Sequence, residues 1–377
     1  MIQSAAIMAL ISFCKFDKKM NIKAKILKFV GSKKPANFDI KNTKNVLFFR
    51  YDRIGDMVIT TPVFRELKLA CPNIKITVLA SKINKEVLNN NPYVDHIITN
   101  HKNFFFSDLP SLLKLRQQNF DVCVEFDHSV IPHAIIRLKI INPKKIISIK
   151  KDGRYGVNGS ELSMYDVYTE KIKKGHFRDI WLEVLKPFDV APKSNDYDLF
   201  ITSELKNEAQ NFIKKYSSKL LVGINLEGAV KGKKIRFSEL YQICQGLHKQ
   251  NNNIQVIILS SPGNYRRTSQ KVKEMGLDYV VMSYKTDTIL NVSAIINLLD
   301  LIITPDTSIV HIASYFNKPL VTIHENNKDS YVLFAPTSEL SRTVFSKSKN
   351  NLTGFSIISL LSFCFELINL IKKETHE

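Results

Sequence analysis

Residues 46–62 constrain the fold of this chain more than any other segment. Their sequence is VLFFRYDRIGDMVITTP, an apolar run followed by a turn that contains Gly55 and several charges. We expect a strand up to the turn and a helix that begins at about residues 58–61. A strand, a glycine turn and a helix are typical of an open α/β sheet, which presents ligand-binding groups where its strands end. Asp56 at this turn is a candidate reactive carboxylate, although an ordinary surface aspartate would give the same pattern.

Residues 299–321 contain a second pattern of this kind, with the sequence LDLIITPDTSIVHIASYFNKPLV. It predicts a short buried strand, a turn with N-cap residues and a short helix that contains His311. The free N–H groups and the dipole at such a helix start favour an anion. Thr307 and Ser308 would add hydroxyl groups. Asp306 is negatively charged, so we expect it to cap the helix or to bind a ribose or sugar hydroxyl group.

Together the two stretches resemble glycosyltransferase family 9, the heptosyltransferases of lipopolysaccharide core synthesis. The first is similar to the family's R-x-x-x-(I/M)-G-D-x-(V/L)-x-x-(T)-P opening. The second is similar to its D-(T/S)-(G/S)-x-x-H-x-x-A segment, which K-P follows. The resemblance extends over roughly residues 45–371. It implies an α/β fold of GT-B architecture, with two Rossmann-like domains facing a cleft, and inverting transfer of a heptose or similar sugar from a nucleotide-sugar donor.

The resemblance also implies roles for individual residues. Asp56 would be the catalytic base, and Arg50 and Arg53 would bind the acceptor. A carboxylate is a weak base near pH 7 unless burial raises its pKa or proton transfer is late. Lys233 matches the family's loop lysine, and Lys234 is an equally reachable alternative.

On the donor side, the resemblance makes Asp306, Thr307, Ser308 and His311 binding residues, although a histidine on a helix is often packed in a core. No D-x-D-like pair stands at a predicted strand end. We therefore expect no metal and no cofactor, with lysine and helix-end N–H groups compensating the charge of the leaving diphosphate.

Three departures from the family pattern leave the donor sugar open. Ile235 and Arg236 follow the loop lysine, where the family usually has W-P. Ser308 stands at the third position of the D-T-G segment. Residues 324–327 are HENN where the family typically has G-P-T. ADP-heptose is the default donor, and another heptose or a hexose remains open.

The net charge of +19 implies an anionic partner. Ten lysines lie between residues 15 and 44, and residues 20–30 (MNIKAKILKFV) alternate lysine with apolar residues at near-helical spacing. A basic amphipathic helix is typical of membrane-surface binding. We therefore expect a peripheral enzyme on the cytoplasmic face of the inner membrane of a Gram-negative cell, acting on a lipid-linked core oligosaccharide. A solvated tail, or a true start at Met20, would give the same composition.

The sequence divides into four regions on this interpretation. These are a basic extension (1–44), an acceptor-side domain (45–192), a nucleotide-sugar domain (193–350) and a terminal helix packed on the body (351–377). Residues 352–371 are apolar but contain too many polar groups for a good membrane span. Residues 153–174 and 226–235 are predicted to be loops. Five scattered cysteines lack metal-site spacing and indicate a reducing compartment.

Three other functions fit parts of the sequence. A GT-B-fold epimerase or hydrolase of nucleotide sugars would need further acidic and histidine groups. A nucleic-acid-binding protein is suggested by charge alone, without zinc spacing or an aromatic-basic RNA motif. An inactive scaffold is disfavoured because Asp56, Thr307, His311 and a loop lysine are all present.

Overall fold

The computed structural model describes residues 20–100, 105–170, 175–228 and 232–374. These residues form two compact units. The first unit is built from residues up to Asp52, from Thr60–Lys85 and from Pro92–Asn195. The second is built from Arg53–Ile59, Glu86–Asn91 and the chain from Asp196 onward.

The first unit is a parallel sheet with helices. Its strands are β1 (Asn45–Arg50), β2 (Lys75–Ser81), β3 (His96–Asn100), β4 (Val122–Glu125), β5 (Lys145–Ile149) and β6 (Val167–Thr169). The helices up to this point in the chain are α1 (Met20–Val30), α2 (Ile54–Ala70), α3 (Phe105–Gln117), α4 (Pro132–Ile141) and α5 (Phe177–Leu182). The first six residues of α2 belong to the second unit.

The second unit repeats the plan. Its strands are β7 (Leu220–Asn225), β8 (Ile254–Leu259), β9 (Val280–Met282), β10 (Leu301–Pro305), β11 (Leu320–His324) and β12 (Ser341–Phe345). Its helices are α6 (Ser203–Ile213), α7 (Phe237–Gln250), α8 (Tyr265–Glu274), α9 (Ile289–Ile296), α10 (Ser308–Tyr315), α11 (Lys328–Phe334) and α12 (Ile357–Glu374).

Both sheets have the strand order of a doubly wound fold. The orders are β3-β2-β1-β4-β5-β6 and β12-β11-β10-β7-β8-β9, and every neighbouring pair is parallel. When β7 is counted as the first strand of the second unit and the second order is read from β9 to β12, the two orders are identical. The strand order reverses between β1 and β4 and again between β7 and β10. Ligands of open α/β sheets bind at the carboxyl ends of the strands at such switch points.

Continuous apolar strands explain why both sheets are covered on both faces. All six residues of β8 are buried, as are the last five of β1 and of β7. Strands without alternation of polar residues are typical of parallel sheets that pack helices on each side. The expected α/β fold with two Rossmann-like units is confirmed.

The part of the basic segment at Met20–Val30 is helical, as predicted. Helix α1 packs against α4 and buries Ala24, Leu27 and Val30 in the core of the first unit. Phe29 is 56% exposed and Ile22 is 39% exposed on the same helix. This part of the extension is therefore docked on the unit. Residues 1–19 of the predicted extension lie outside the described residues.

Several boundaries differ from the sequence expectation. Helix α2 begins at Ile54, not at residues 58–61, so Asp56 lies in the first helical turn. Strand β6 falls within the predicted loop 153–174, of which residues 171–174 are outside the description. The expectation missed α8, α11, β9 and β12. Helix α8 has the sequence YRRTSQKVKE and buries only Thr268 and Val272, so it carries almost no apolar periodicity.

The C-terminal apolar segment is α12. Leu360, Cys364, Leu367 and Ile368 are buried in the core of the second unit, where α12 packs against α7 and the strands β10, β11 and β12. Among the residues that the structure describes, none of the helices combines the length and apolar character needed to span a bilayer.

Candidate functional site

The switch point of the second unit gathers polar groups at the ends of β7 and β10. Thr307 is the N-cap of α10, and its hydroxyl group accepts a hydrogen bond from the Ile309 N–H at 3.2 Å. Thr307 therefore caps this helix, and Asp306 precedes the cap. The N–H groups of the first turn of α10 point towards the carboxyl edge of the sheet, which makes this helix start suitable for an anion.

Asn225, the last residue of β7, ties this edge together. Its Nδ2 donates to Thr304 Oγ1 at 2.9 Å, to Thr307 Oγ1 at 3.3 Å and to the Glu227 carbonyl oxygen at 3.0 Å. Glu227 in turn accepts from the Ser260 hydroxyl group at 2.8 Å. This network fixes the α10 N-cap against the start of the loop 226–235. A single polar residue at the end of an apolar strand was the sequence signal for Asn225, and the sequence analysis did not use it.

Lys233 reaches the same edge from the loop that follows β7. Its Nζ lies 3.3 Å from Asp306 Oδ2 and 2.7 Å from Glu325 Oε2, and its side chain is 13% exposed. Lys234 is exposed to solvent. The sequence left Lys233 and Lys234 as equal alternatives. In the structure, Lys233 is the one that contacts Asp306. The loop residues 229–231 lie outside the described residues.

His324 lies beneath this charged group. The imidazole ring is buried, packs edge-on against Tyr331 at 4.9 Å between ring centroids, and has no hydrogen-bond partner for Nε2 among the described residues. Burial lowers the pKa of His324, and the nearby Lys233 lowers it further, against the opposing effect of Asp306 and Glu325. His324 is therefore neutral near pH 7 and leaves the charge balance to Lys233, Asp306 and Glu325.

The first turn of α2 packs on the start of α10. A Cβ atom added to Gly55 would lie 3.0 Å from His311 Cδ2 and 3.5 Å from Ser308 Cα, so glycine permits the close approach. Asp56 is the next residue, and its Oδ2 accepts a hydrogen bond from the Arg53 N–H at 3.3 Å. The two motifs that the sequence analysis singled out therefore meet within the second unit.

His311 is buried rather than displayed. Its ring packs edge-on against Tyr197 at 6.0 Å and lies 6.4 Å from the Phe334 ring. With Gly55 against its other side, His311 fills the space between α10 and the start of α2. A packing role accounts for this position, and its predicted donor contact stays a prediction.

The switch point of the first unit, at the ends of β1 and β4, is filled by its own side chains. Arg50 is 3% exposed, and its guanidinium carbon lies 3.7 Å from the centre of the Trp181 ring and 5.1 Å from that of Phe126. Its Nη1 also lies 3.4 Å from Asp52 Oδ2. Burial under an aromatic ring favours a structural role for Arg50 over the predicted contact with an acceptor, while Arg53 is exposed.

A buried ion pair underlies this edge. Lys151 Nζ contacts Glu125 Oε2 and donates to the Asp127 carbonyl oxygen at 2.7 Å, and Glu125 also accepts from the Asp127 N–H at 2.8 Å. Burial disfavours the charged form of Glu125, but the adjacent Lys151 outweighs it and keeps the Glu125 pKa below its ordinary value. Burial and the adjacent Glu125 carboxylate raise the Asp127 pKa well above its ordinary value.

His128 completes this cluster. Trp181 Nε1 donates to His128 Nε2 at 3.1 Å, which requires that nitrogen to be unprotonated. Burial, together with the positive charges of Arg50 and Lys151, lowers the His128 pKa to about 4. The histidine is therefore neutral at pH 7 and serves as a hydrogen-bond acceptor.

Two doubly wound parallel sheets place this chain in the class of Rossmann-like α/β proteins. Residues 112–357 match the sequence profile described as glycosyltransferase family 9 (heptosyltransferase). That match extends over more than half of the chain, so this protein belongs to glycosyltransferase family 9 and is a glycosyltransferase.

Individual proteins of this family are similar to the chain in sequence and in fold. The chain is 23% identical over 312 residues to "Putative lipopolysaccharide heptosyltransferase 4" of Escherichia coli, with 78% of this chain and 79% of the relative covered. A family 9 glycosyltransferase from Veillonella parvula has a similar fold, with a TM-score of 0.71, 17% identity and coverage of 89% of this chain and 99% of that one. The structure of the E. coli ADP-heptose lps heptosyltransferase II is also similar, with a TM-score of 0.66 and 15% identity. The match covers 88% of this chain and 99% of that one. At these identities the solved structures establish the GT-B fold alone.

A metal site was not expected from the sequence. In the described ranges, no three or more histidine, cysteine, aspartate or glutamate side chains are grouped so as to hold a metal ion. Metal independence nevertheless stays a prediction, as do the individual roles of the site residues.

Proposed function

We propose that this glycosyltransferase moves a heptose, or a similar sugar, from an ADP-linked donor to the inner core of a lipopolysaccharide or lipooligosaccharide, with inversion at the anomeric carbon. The observation that carries the proposal is the meeting of the two motifs, because Gly55 brings the first turn of α2, and with it Asp56, against Ser308 and His311 at the start of α10. Membership in the heptosyltransferase family supports the sugar, and the E. coli ADP-heptose enzyme of the same fold supports the nucleotide.

The donor diphosphate would bind at the start of α10. The N–H groups there, the Ser308 hydroxyl group and the Lys233 ammonium would compensate the negative charge that grows as the diphosphate leaves. Asp306 would accept a hydrogen bond from a hydroxyl group of the donor. Positive groups of the chain itself would do the work that a divalent cation does in other transferases, so we propose a metal-independent reaction without a cofactor.

Asp56 would act as the catalytic base. The acceptor hydroxyl oxygen attacks the anomeric carbon of the donor sugar and forms the new glycosidic bond. The bond from that carbon to the diphosphate oxygen breaks, and its electron pair leaves with ADP. The hydroxyl proton passes to the Asp56 carboxylate. The Arg53 N–H that contacts this carboxylate holds it in one orientation.

The basic helix α1 would bring the enzyme to its lipid-linked acceptor. Ile22 and Phe29 are exposed on this helix beside the exposed Lys25, while its opposite face is buried in the first unit. Apolar side chains flanked by lysines suit an anionic bilayer surface. We propose that the protein associates peripherally with the cytoplasmic face of the inner membrane, and that nucleic acid is not its anionic partner.

The decisive experiment is ADP release by the purified protein from ADP-heptose, with and without a truncated lipid A–Kdo acceptor. We expect release that requires the acceptor. Release without acceptor would instead indicate a hydrolase or an epimerase. Absence of release with ADP-heptose, together with acceptor-dependent release from another nucleotide sugar, would replace the donor and keep the transferase.

The membrane proposal needs a variant that spares the core. Truncation of the whole basic segment would remove Ala24, Leu27 and Val30 from the first unit and confuse anchoring with stability. Phe29→Glu on the exposed face should instead reduce sedimentation with phosphatidylglycerol vesicles. Ile358→Glu, at an 83% exposed residue of α12, is the matched control. Equal sedimentation of both variants and the parent protein would contradict the anchor.

A further inference from the structure

Glu325 is the one member of the charged group around Lys233 that the proposed reaction does not use. Its Oε2 is nearer to Lys233 Nζ (2.7 Å) than Asp306 Oδ2 is (3.3 Å). We propose that Glu325 is an affinity-determining residue of the donor site, an internal counter-ion that a donor diphosphate must displace from Lys233. This inference rests on the proposed donor role of Lys233.

The charge balance of the group supports displacement. One ammonium faces two carboxylates, and the buried His324 beside them is neutral near pH 7, as its lowered pKa indicates. A diphosphate that approaches Lys233 therefore meets an excess of negative charge. Like charges at such short range repel each other at the effective dielectric of a protein surface. Glu325 must move away or lose its charge before an oxygen of the diphosphate can take its place.

The position of Glu325 permits such an exchange. Its side chain is 14% exposed, so the ion pair is in contact with solvent. Glu325 follows the last residue of β11 and precedes Asn327, the N-cap of α11. It thus lies in the short connection between two elements, where a side chain can turn outward without disturbing the core. Water can therefore solvate the carboxylate as it leaves Lys233.

Asp306 explains why Glu325 is not needed simply to hold the lysine. Asp306 already contacts Lys233 and follows β10, a buried strand at the switch point. A second carboxylate adds little to the position of Lys233 but adds competition with any anion. The expected result is a donor site with moderate affinity, from which the ADP product is released faster because Glu325 returns to Lys233. Product release limits turnover in many enzymes with well-formed sites.

Calorimetric titration of the purified full chain tests this inference, with ADP and inorganic pyrophosphate as charged probes and adenosine as a neutral one. Glu325→Gln keeps the size of the side chain and removes its charge. We expect this variant to bind ADP and pyrophosphate roughly fivefold to tenfold more tightly, a range that corresponds to about 1 kcal/mol. The affinity for adenosine should not change. Stopped-flow measurement should show slower ADP dissociation.

Two further variants make the result specific. Glu274→Gln removes the same charge from an exposed ion pair with Lys271 in the same unit, and it should leave ADP binding unchanged. In a Lys233→Ala background, Glu325→Gln should change ADP affinity by a smaller factor than it does in the parent protein, because the competition for Lys233 is gone and only the repulsion between Glu325 and the diphosphate remains. Glu325→Ser, with a smaller side chain, should tighten ADP binding as the glutamine variant does.

The outcomes separate the two proposals. If Lys233→Ala leaves ADP and pyrophosphate affinity unchanged, the donor role of Lys233 is wrong and the inference falls with it. If Lys233→Ala weakens both probes but Glu325→Gln leaves them unchanged or weakens them, the donor role stands and Glu325 is not a competitor.

Discussion

The two sheets of this protein share one strand order, but the carboxyl edges at their switch points are built from different chemistry. At the β1–β4 edge, Arg50 is covered by Trp181, and Lys151 is paired with Glu125 in the interior. At the β7–β10 edge, the charged side chains are partly exposed, and a helix start stands beside them. Topology places a possible site at both edges, and the side chains decide which edge remains open to an anion.

The difference lies in how each edge treats its positive charges. In the first unit, the Trp181 ring covers the Arg50 guanidinium and the buried Glu125 carboxylate pairs with Lys151. The second satisfies Lys233 with carboxylates that solvent reaches, and it adds the N–H groups of α10. We therefore expect substitutions at the first edge to change stability and substitutions at the second edge to change binding and turnover.

The largest effect on turnover should come from Asp56→Asn, because Asp56 lies in the first turn of α2, which packs on α10 at the second edge. The amide keeps the size of the side chain and can accept the hydrogen bond from the Arg53 N–H, but it cannot take a proton from the acceptor. Turnover should fall roughly 10²- to 10⁴-fold, the usual contribution of a general base. ADP affinity and the thermal midpoint should stay near those of the parent protein. Near-parental turnover would remove Asp56 as the base.

Lys151→Met should produce the opposite profile. It leaves the Glu125 carboxylate buried without its cation, and breaking a buried pair costs about 3–5 kcal/mol. Urea unfolding should show this loss in the free energy of unfolding. Lys150→Met, at the exposed neighbouring residue, should change it by less than about 0.5 kcal/mol. Equal stability of the two variants would show that the first edge does not depend on its buried pair.

The contrast between the edges also explains what the sequence could predict. The strand at the start of residues 46–62 was expected and occurs as β1, because an apolar run is followed by a charged turn that contains Gly55. The start of α10, with Thr307 as its cap, follows from local residue chemistry. Helix α8 was missed because it lies on the surface and needs only two buried residues.

Contacts between distant residues could not be predicted in this way. The sequence marked residues 324–327 as unusual but could not pair Glu325 with Lys233, since an ion pair across such a separation has no local signature. Arg50 beside Asp56 suggested an acceptor contact. The Trp181 ring that covers it lies in a different element and is brought there by packing alone.

Acidification should weaken the first unit through His128. Its pKa is about 4 in the folded chain and 6.5 without perturbation, so the unfolded chain binds more protons between these values. Stability should therefore fall as the pH is lowered from about 6.5 to about 4, by up to about 3 kcal/mol at 1.36 kcal/mol per pKa unit. His128→Gln, which still offers Trp181 an acceptor, should flatten this part of the pH dependence. His96→Gln, at an exposed histidine of the same unit, should leave it unchanged.

The smallest expected effect separates two adjacent lysines of the second unit. Lys233→Ala removes the ammonium that contacts Asp306 and Glu325 and should weaken ADP binding roughly tenfold to a hundredfold, because hydrogen bonds to charged groups contribute about 1.5–3 kcal/mol. Lys234→Ala removes the same charge one residue later, at an exposed position, and should change ADP affinity less than twofold. Both variants should unfold at nearly the parental temperature, because the carboxylates that contact Lys233 are partly exposed to solvent, unlike the buried Glu125 beside Lys151. A matched loss of affinity in the two variants would mean that the loop contributes only a diffuse positive field, and the second edge would then lose the specific cation that distinguishes it from the first.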